Sequence, residues 1–104
     1  MKFILLSRHT GNQEIPDNEK DQNMKDMMEW LALLNTEIAM PIRGGKSVTS
    51  GSVEEYQGDA GGIIIFEAEN LDMAVALAQK SPGLKYGFTH EVFPEISVAE
   101  AANQ

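Results

Sequence analysis

The chain has no cysteine among its 104 residues, so it can form neither a disulfide nor a thiolate zinc site. It is also short of positive charge. Eight Lys and Arg stand against 16 Asp and Glu, and the formal net charge of −8 sets up a field that repels phosphate backbones and anionic membrane surfaces. Nucleic acid is therefore not expected as a partner. No apolar run approaches the ~20 residues of a membrane span, and the opening MKFILLSRHTG has too short an apolar stretch and the wrong flanks for a secretory signal. The expectation is a cytoplasmic protein that does not engage membranes. Histidine is scarce as well: His9 and His90 are far apart and fall in neither HxH nor HExxH spacing, so neither a metal nor another cofactor is expected. The GKS at residues 45–47 lacks the rest of a phosphate loop. The glycine required five positions before Gly45 is Met40, and the required preceding strand and following helix are missing.

What the chain does have is 42% hydrophobic residues, enough for one core; a chain of this length buries roughly 60 to 70% of its unfolded surface. One domain over residues 1–104 is expected. Residues 2–8 (KFILLSR) form a short apolar run of strand formers, followed by a polar loop containing Gly11 and Pro16. Pro16, Asp17, Asn18 and Glu19 then suit a helix start. Met24, Met27, Met28, Leu31, Leu34 and Ile38 recur at helical spacing, which predicts one amphipathic helix ending before Pro41, with Trp30 beside its stripe. Residues 42–56 carry β-prone pieces around Val48 and Val53 between glycines and are read as a hairpin or a bulged edge strand.

After Gly61-Gly62 comes IIIFEAE, a strand apolar on both faces and so expected at the centre of a sheet. Asn70 caps a helix over residues 71–80, with Leu71, Ala74, Leu77 and Ala78 as its packed stripe, and Ser81-Pro82-Gly83 stops it. In the last strand Tyr86, Phe88, His90 and Val92 share one face. Ser97 and Glu100 have capping-box spacing for a short final helix. The order is the split β-α-β pattern of an α+β, ferredoxin-like antiparallel sheet with two helices on one face. Two helices cover one face only, so an apolar second face implies a homodimer formed through the sheet faces.

Several residues could carry chemistry. His90 is the only member of its row able to titrate near neutral pH. If that row faces a dimer cavity, His90 is a candidate proton carrier or anion holder; if it faces the helices, it is a hydrogen-bonded core or edge histidine. Its expected acceptor is Glu67 or a backbone carbonyl. His9 is a second acid-base candidate. Arg8, where the first strand runs out, and Arg43 could each hold an anionic group, and Trp30 and Tyr56 could form the apolar wall of a ligand site.

The run from Gly61-Gly62 through IIIFEAENLDMAVALAQKSP to GLKYGFTHEVFPEI, preceded by the MKFILL start, resembles the YCII-related proteins of the dimeric α+β barrel superfamily. That resemblance implies a ferredoxin-like protomer whose sheet packs face to face on a partner's. Two signatures known in parts of that family are missing: the first helix reads NMKDMMEWLALL without histidine, and EEYQGDA stands where a DGPF sequence would be. Two readings of function therefore remain open. One is an enzyme doing acid-base chemistry on a small organic molecule in a cleft of the dimeric barrel. The other is a non-catalytic dimeric module binding a small ligand or a protein partner.

Overall fold

A computed structural model describes residues 1–11 and 13–103. In chain order the elements are β1 (Lys2–His9), α1 (Lys20–Leu33), β2 (Ile38–Pro41), β3 (Lys46–Val48), β4 (Val53–Glu55), β5 (Ala60–Glu67), α2 (Leu71–Ala78), β6 (Phe88–Pro94) and α3 (Val98–Ala102), with 3-10 turns at Asp17–Glu19 and Pro82–Tyr86. The main sheet has the order β2-β5-β1-β6 with every neighbouring pair antiparallel, the ferredoxin-like arrangement. The strands apolar on both faces, β1 and β5, take its centre.

Register explains where the core lies. Phe3 stands opposite Phe66 and Leu5 opposite Ile64; these four are buried, together with Trp30 and Leu34 of the first helical segment and Ala74 and Ala78 of α2. Side chains alternate along a strand, so Ile4, Leu6, Ile63 and Ile65 point to the opposite face, where they are only half-buried. Ile38 and Met40 of β2, opposite Ile65 and Ile63, and Phe93 of β6, opposite Ile4, extend that open apolar face.

Several sequence expectations need correction. The first helix ends at Leu33, because Asn35 takes a left-handed conformation (φ 52°) and the Thr36 N–H and hydroxyl both donate to the Leu31 carbonyl. Ile38, which falls in helical phase with Leu34, is in the edge strand β2 instead. The buried helical stripe is Met27, Trp30, Leu31 and Leu34, so Trp30 sits at its centre with 4% of its surface exposed, while Met24 and Met28 face solvent. Both sets recur at helical spacing; docking on the sheet selects the one bearing the indole. In α2, Leu71 is exposed and Ala74, Leu77 and Ala78 face inward. Tyr86 lies in a 3-10 turn, and the last strand starts at Phe88 because Gly87, at φ 85°, reverses the chain between them. Residues 42–56 hold a separate two-stranded hairpin, β3 with β4. Two caps follow expectation, since Asn70 accepts the Met73 N–H at 2.9 Å and Ser97 and Glu100 form a capping box, but neither Asp17 nor Asn18 caps α1, which starts after Glu19 with no side-chain cap.

Ile64 stands beside Leu5 on the face that the helices cover and is 8% exposed. An unpaired carboxylate there costs several kcal/mol against a typical domain stability of roughly 5 to 15 kcal/mol. Ile64→Asp should therefore lose the cooperative thermal transition seen by circular dichroism, and a wild-type melting curve would show that this strand is not the centre of the core.

Candidate functional site

Four strand ends meet at one edge of the sheet. β1 finishes at His9, β2 finishes at Pro41, β5 begins at Ala60 and β6 begins at Phe88. They border an open cleft of about 1170 Å³ whose lining includes His9, Arg43, Lys46, Tyr56, Gly61 and Phe88. The cleft brings together three residues singled out in the sequence, His9, Arg43 and Tyr56.

His9 is held from three sides. Its backbone N–H donates to the Asp59 carbonyl at 3.0 Å, and its ring stacks on Phe88, directly opposite it in register, with centroids 4.5 Å apart. Its Nε2 lies 3.1 Å from the Tyr86 carbonyl. A carbonyl can only accept, so Nε2 carries the hydrogen, and in the neutral ring Nδ1 is left with the free lone pair. That places a proton acceptor on the ring of a side chain lining the cleft. Tyr86 is itself anchored, its hydroxyl donating to Glu19 Oε1 at 2.9 Å.

On the facing wall the Tyr56 hydroxyl accepts the Ala60 N–H at 3.1 Å, and the ring closes over Gly58 so tightly that any Cβ at residue 58 would collide with it. Lys46 is ion-paired with Glu55, whereas Arg43 makes no ion pair among the described residues. In a chain of net charge −8, an uncompensated guanidinium at a cleft lip is a local attractor for anions.

The other candidates lie elsewhere. Arg8 is on the open face of the sheet, where Nε donates to Glu91 at 2.5 Å and Nη1 donates to Asp59 at 2.7 Å. Hydrogen bonds first from Glu91 and then from Asp59 raise its pKa further above the ordinary arginine value. It ties β6, β1 and the entry to β5 together, and two carboxylates already occupy the hydrogen-bonding edges a ligand anion would need.

His90 turns toward the helices. It lies parallel to Trp30 with ring centroids 5.6 Å apart and an interplanar angle of 9°, and its Nε2 is 2.7 Å from Ser81 Oγ. Ser81 is 6% exposed and already accepts the Gly83 N–H at 3.2 Å, which leaves its own hydrogen for His90. The partner of Nε2 is therefore Ser81 and not Glu67, which is exposed on the other face of the sheet. His90 Nδ1 is buried with no hydrogen-bond partner among the described residues. Burial pushes the imidazole pKa down. Trp30 donates its indole N–H to the Leu77 carbonyl at 2.9 Å and shows only an edge to a second, smaller cleft of about 550 Å³, shared with Asp26, Glu29, Ser81 and Lys85. Trp30 and His90 thus form a clamp between α1 and the turn after α2, away from the cleft at His9.

Residues 1–95 match the YCII-related domain. The chain belongs to the YCII-related family. No curated protein sequence matches it significantly. Seven solved chains match it significantly in structure, among them 5-chloro-2-hydroxyhydroquinone dehydrochlorinase (TftG) from Burkholderia phenoliruptrix AC1100, solved in complex with 2,5-dihydroxybenzoquinone. The likeness has 19% sequence identity and a TM-score of 0.57 over 96% of this chain and 98% of that chain, and it is a likeness of fold. Among the described residues of this YCII-related chain, no group of three His, Asp or Glu could hold a metal ion, and no helix is long and apolar enough to cross a membrane.

Sequence reasoning did not single out Phe88, Lys46 or Ser81. The antiparallel register that pairs His9 with Phe88 could have pointed to the first, since both end an apolar strand. The proximity of Ser81 to His90 had no sequence signal, because a Ser-Pro-Gly stop reads the same whether or not its hydroxyl meets an imidazole.

An imidazole harder to protonate in the folded chain makes stability depend on pH with a definite sign. Above the ordinary histidine value of about 6.5 both folded and unfolded chains are neutral at His90 and its environment is stable. Below it the unfolded chain takes up the proton first, so stability falls with pH. Wild-type melting temperature should drop more steeply between about pH 6.5 and 5 than that of His90→Gln, which offers Ser81 an amide and cannot titrate. Equal slopes would mean that His90 is not held neutral by burial.

Proposed function

We propose that the protein is a homodimer formed through the open faces of its sheets, and that the cleft at His9 binds a small, flat, anionic organic molecule on which His9 does acid-base work. The dimer reading rests on Ile4, Leu6, Ile38, Met40, Ile63, Ile65 and Phe93, which together line one side of a sheet with no helix over it among the described residues. Such a surface is larger and more contiguous than scattered apolar residues on a monomer.

The observation that carries the ligand reading is the fixed tautomer of His9. With Nε2–H committed to the Tyr86 carbonyl, Nδ1 can take a proton from a weakly acidic O–H or C–H of a bound molecule and return it. Phe88 backs the imidazole with a flat apolar surface, and Arg43 offsets the negative charge left on the ligand. TftG acts on a hydroxylated, chlorinated ring and was solved with a hydroxyquinone. Hydroxyquinones are flat and ionise readily, which makes them suitable probes here. Burial of the second histidine against Ser81 favours the alternative of a binding module without turnover, since it leaves His9 as the only imidazole at the cleft.

Titration with 2,5-dihydroxybenzoquinone, followed by its visible absorbance, separates these readings. Saturable binding is expected, with roughly tenfold weaker affinity, about 1.4 kcal/mol, in Arg43→Ala. In D2O the wild type should speed exchange of the ring hydrogens, and His9→Gln should bind the probe yet return exchange to the background rate. Binding without exchange in the wild type would favour the non-catalytic module, and neither binding nor exchange would overturn the ligand reading. Light scattering should give about twice the chain mass of 11.4 kDa for the wild type and the single mass for Leu6→Asp; a monomeric wild type would sink the dimer.

A further inference from the structure

Residues 37–58 are exposed without exception. Within them β3 and β4 pair only with each other: Lys46 stands opposite Glu55, Ser47 opposite Glu54 and Val48 opposite Val53. The ribbon is tied to the body at its root, where the Ile42 N–H donates to the Gly61 carbonyl at 3.2 Å and Tyr56 holds Ala60. Past that root a Cβ added at Gly44, Gly45 or Gly51 would meet nothing within 4 Å. The chain as a whole reflects this projecting arm. Its radius of gyration is 15.5 Å, against about 13 Å for a compact chain of this length.

A two-stranded ribbon is marginal in water unless one of its sides is covered, and the two sides of this one differ. Ser47 and Glu54 make one side polar. Val48 and Val53 make the other apolar at its tip, 73% and 66% exposed, with the Lys46–Glu55 ion pair behind them. We propose that this apolar side seats on a second copy of the chain, so that each protomer embraces its partner with residues 46–55. The inference rests on the sheet-face dimer proposed above.

Two features favour a second copy over another occupant. The arm springs from the strands that form the open face: it leaves the end of β2, whose Ile38 and Met40 belong to that face, and returns into β5, which carries Ile63 and Ile65. Two such faces brought together about a twofold axis therefore carry both arms into the same interface. Area points the same way. From strand spacing and rise, the four-stranded face projects to only about 400 Å², roughly half of the ~800 Å² of accessible surface that each partner buries in a standard stable interface. The arms enlarge it.

The test compares dimer dissociation constants, by sedimentation velocity over a dilution series, for the wild type, Leu6→Asp and the double variant Val48→Asp/Val53→Asp. Both valines are exposed in the protomer, so far-UV circular dichroism should be unchanged in the double variant while its dissociation constant rises at least tenfold. If the charged pair loses β signal, Val48→Thr/Val53→Thr keeps the β-branched shape and should still raise the constant severalfold. A dimeric wild type with unchanged constants in the folded arm variants would overturn the arm inference alone, leaving the arm to a different protein. A wild type monomeric across the series, like Leu6→Asp, would overturn the sheet-face dimer and the arm inference together.

Discussion

The constraint on which the rest of the molecule depends is the antiparallel pairing of β1 with β5. Phe3 against Phe66 and Leu5 against Ile64 put four large side chains on one face, and alternation puts Ile4, Leu6, Ile63 and Ile65 on the other. Two helices can cover only one of these faces. Trp30, Leu34, Ala74 and Ala78 close the first, and the second stays apolar and uncovered among the described residues. The proposed dimer follows from that imbalance, and so does the proposed role of the arm, whose apolar tip is an extension of the same problem.

The same register separates the two histidines. On β1 and β6 the opposed pairs Ser7 with His90 and His9 with Phe88 lie on one face, a single two-residue step apart. One step inward, His90 falls beneath Trp30 and meets the buried hydroxyl of Ser81, where burial disfavours protonation of the ring. One step outward, His9 reaches the strand end, stacks on Phe88 and lines the cleft with Arg43 and Tyr56. Arg8, adjacent to His9 in sequence, projects to the opposite face and is held by Glu91 and Asp59. Three neighbouring candidates thus receive three different environments from one pleat.

Composition and local pattern were enough for the two central strands, for α2 with its Asn70 cap, for the Ser97–Glu100 capping box and for the ferredoxin-like order of elements, because alternation, caps and turn residues act over a few positions. They misplaced the end of the first helix, since Leu34 and Ile38 keep helical phase while Asn35 breaks the backbone. They also put Met24 and Met28 on the packed stripe in place of Trp30, since a helix rich in apolar residues offers more than one inward face.

Of the candidate site, the sequence by itself determined which residues had suitable chemistry: two histidines, Arg8, Arg43, Trp30 and Tyr56. It also determined that the sheet would be apolar on both sides, because three consecutive isoleucines cannot all point one way. Only the tertiary structure decided that His9, Arg43 and Tyr56 share a cleft while His90 and Trp30 clamp a helix. That grouping depends on which strand ends lie side by side and on which face the helices dock, arrangements set by pairings between residues far apart in the chain, such as Arg8 with Glu91, 83 positions away. No local spacing encodes a contact of that range, so the chemistry could be read before the fold and its location could not.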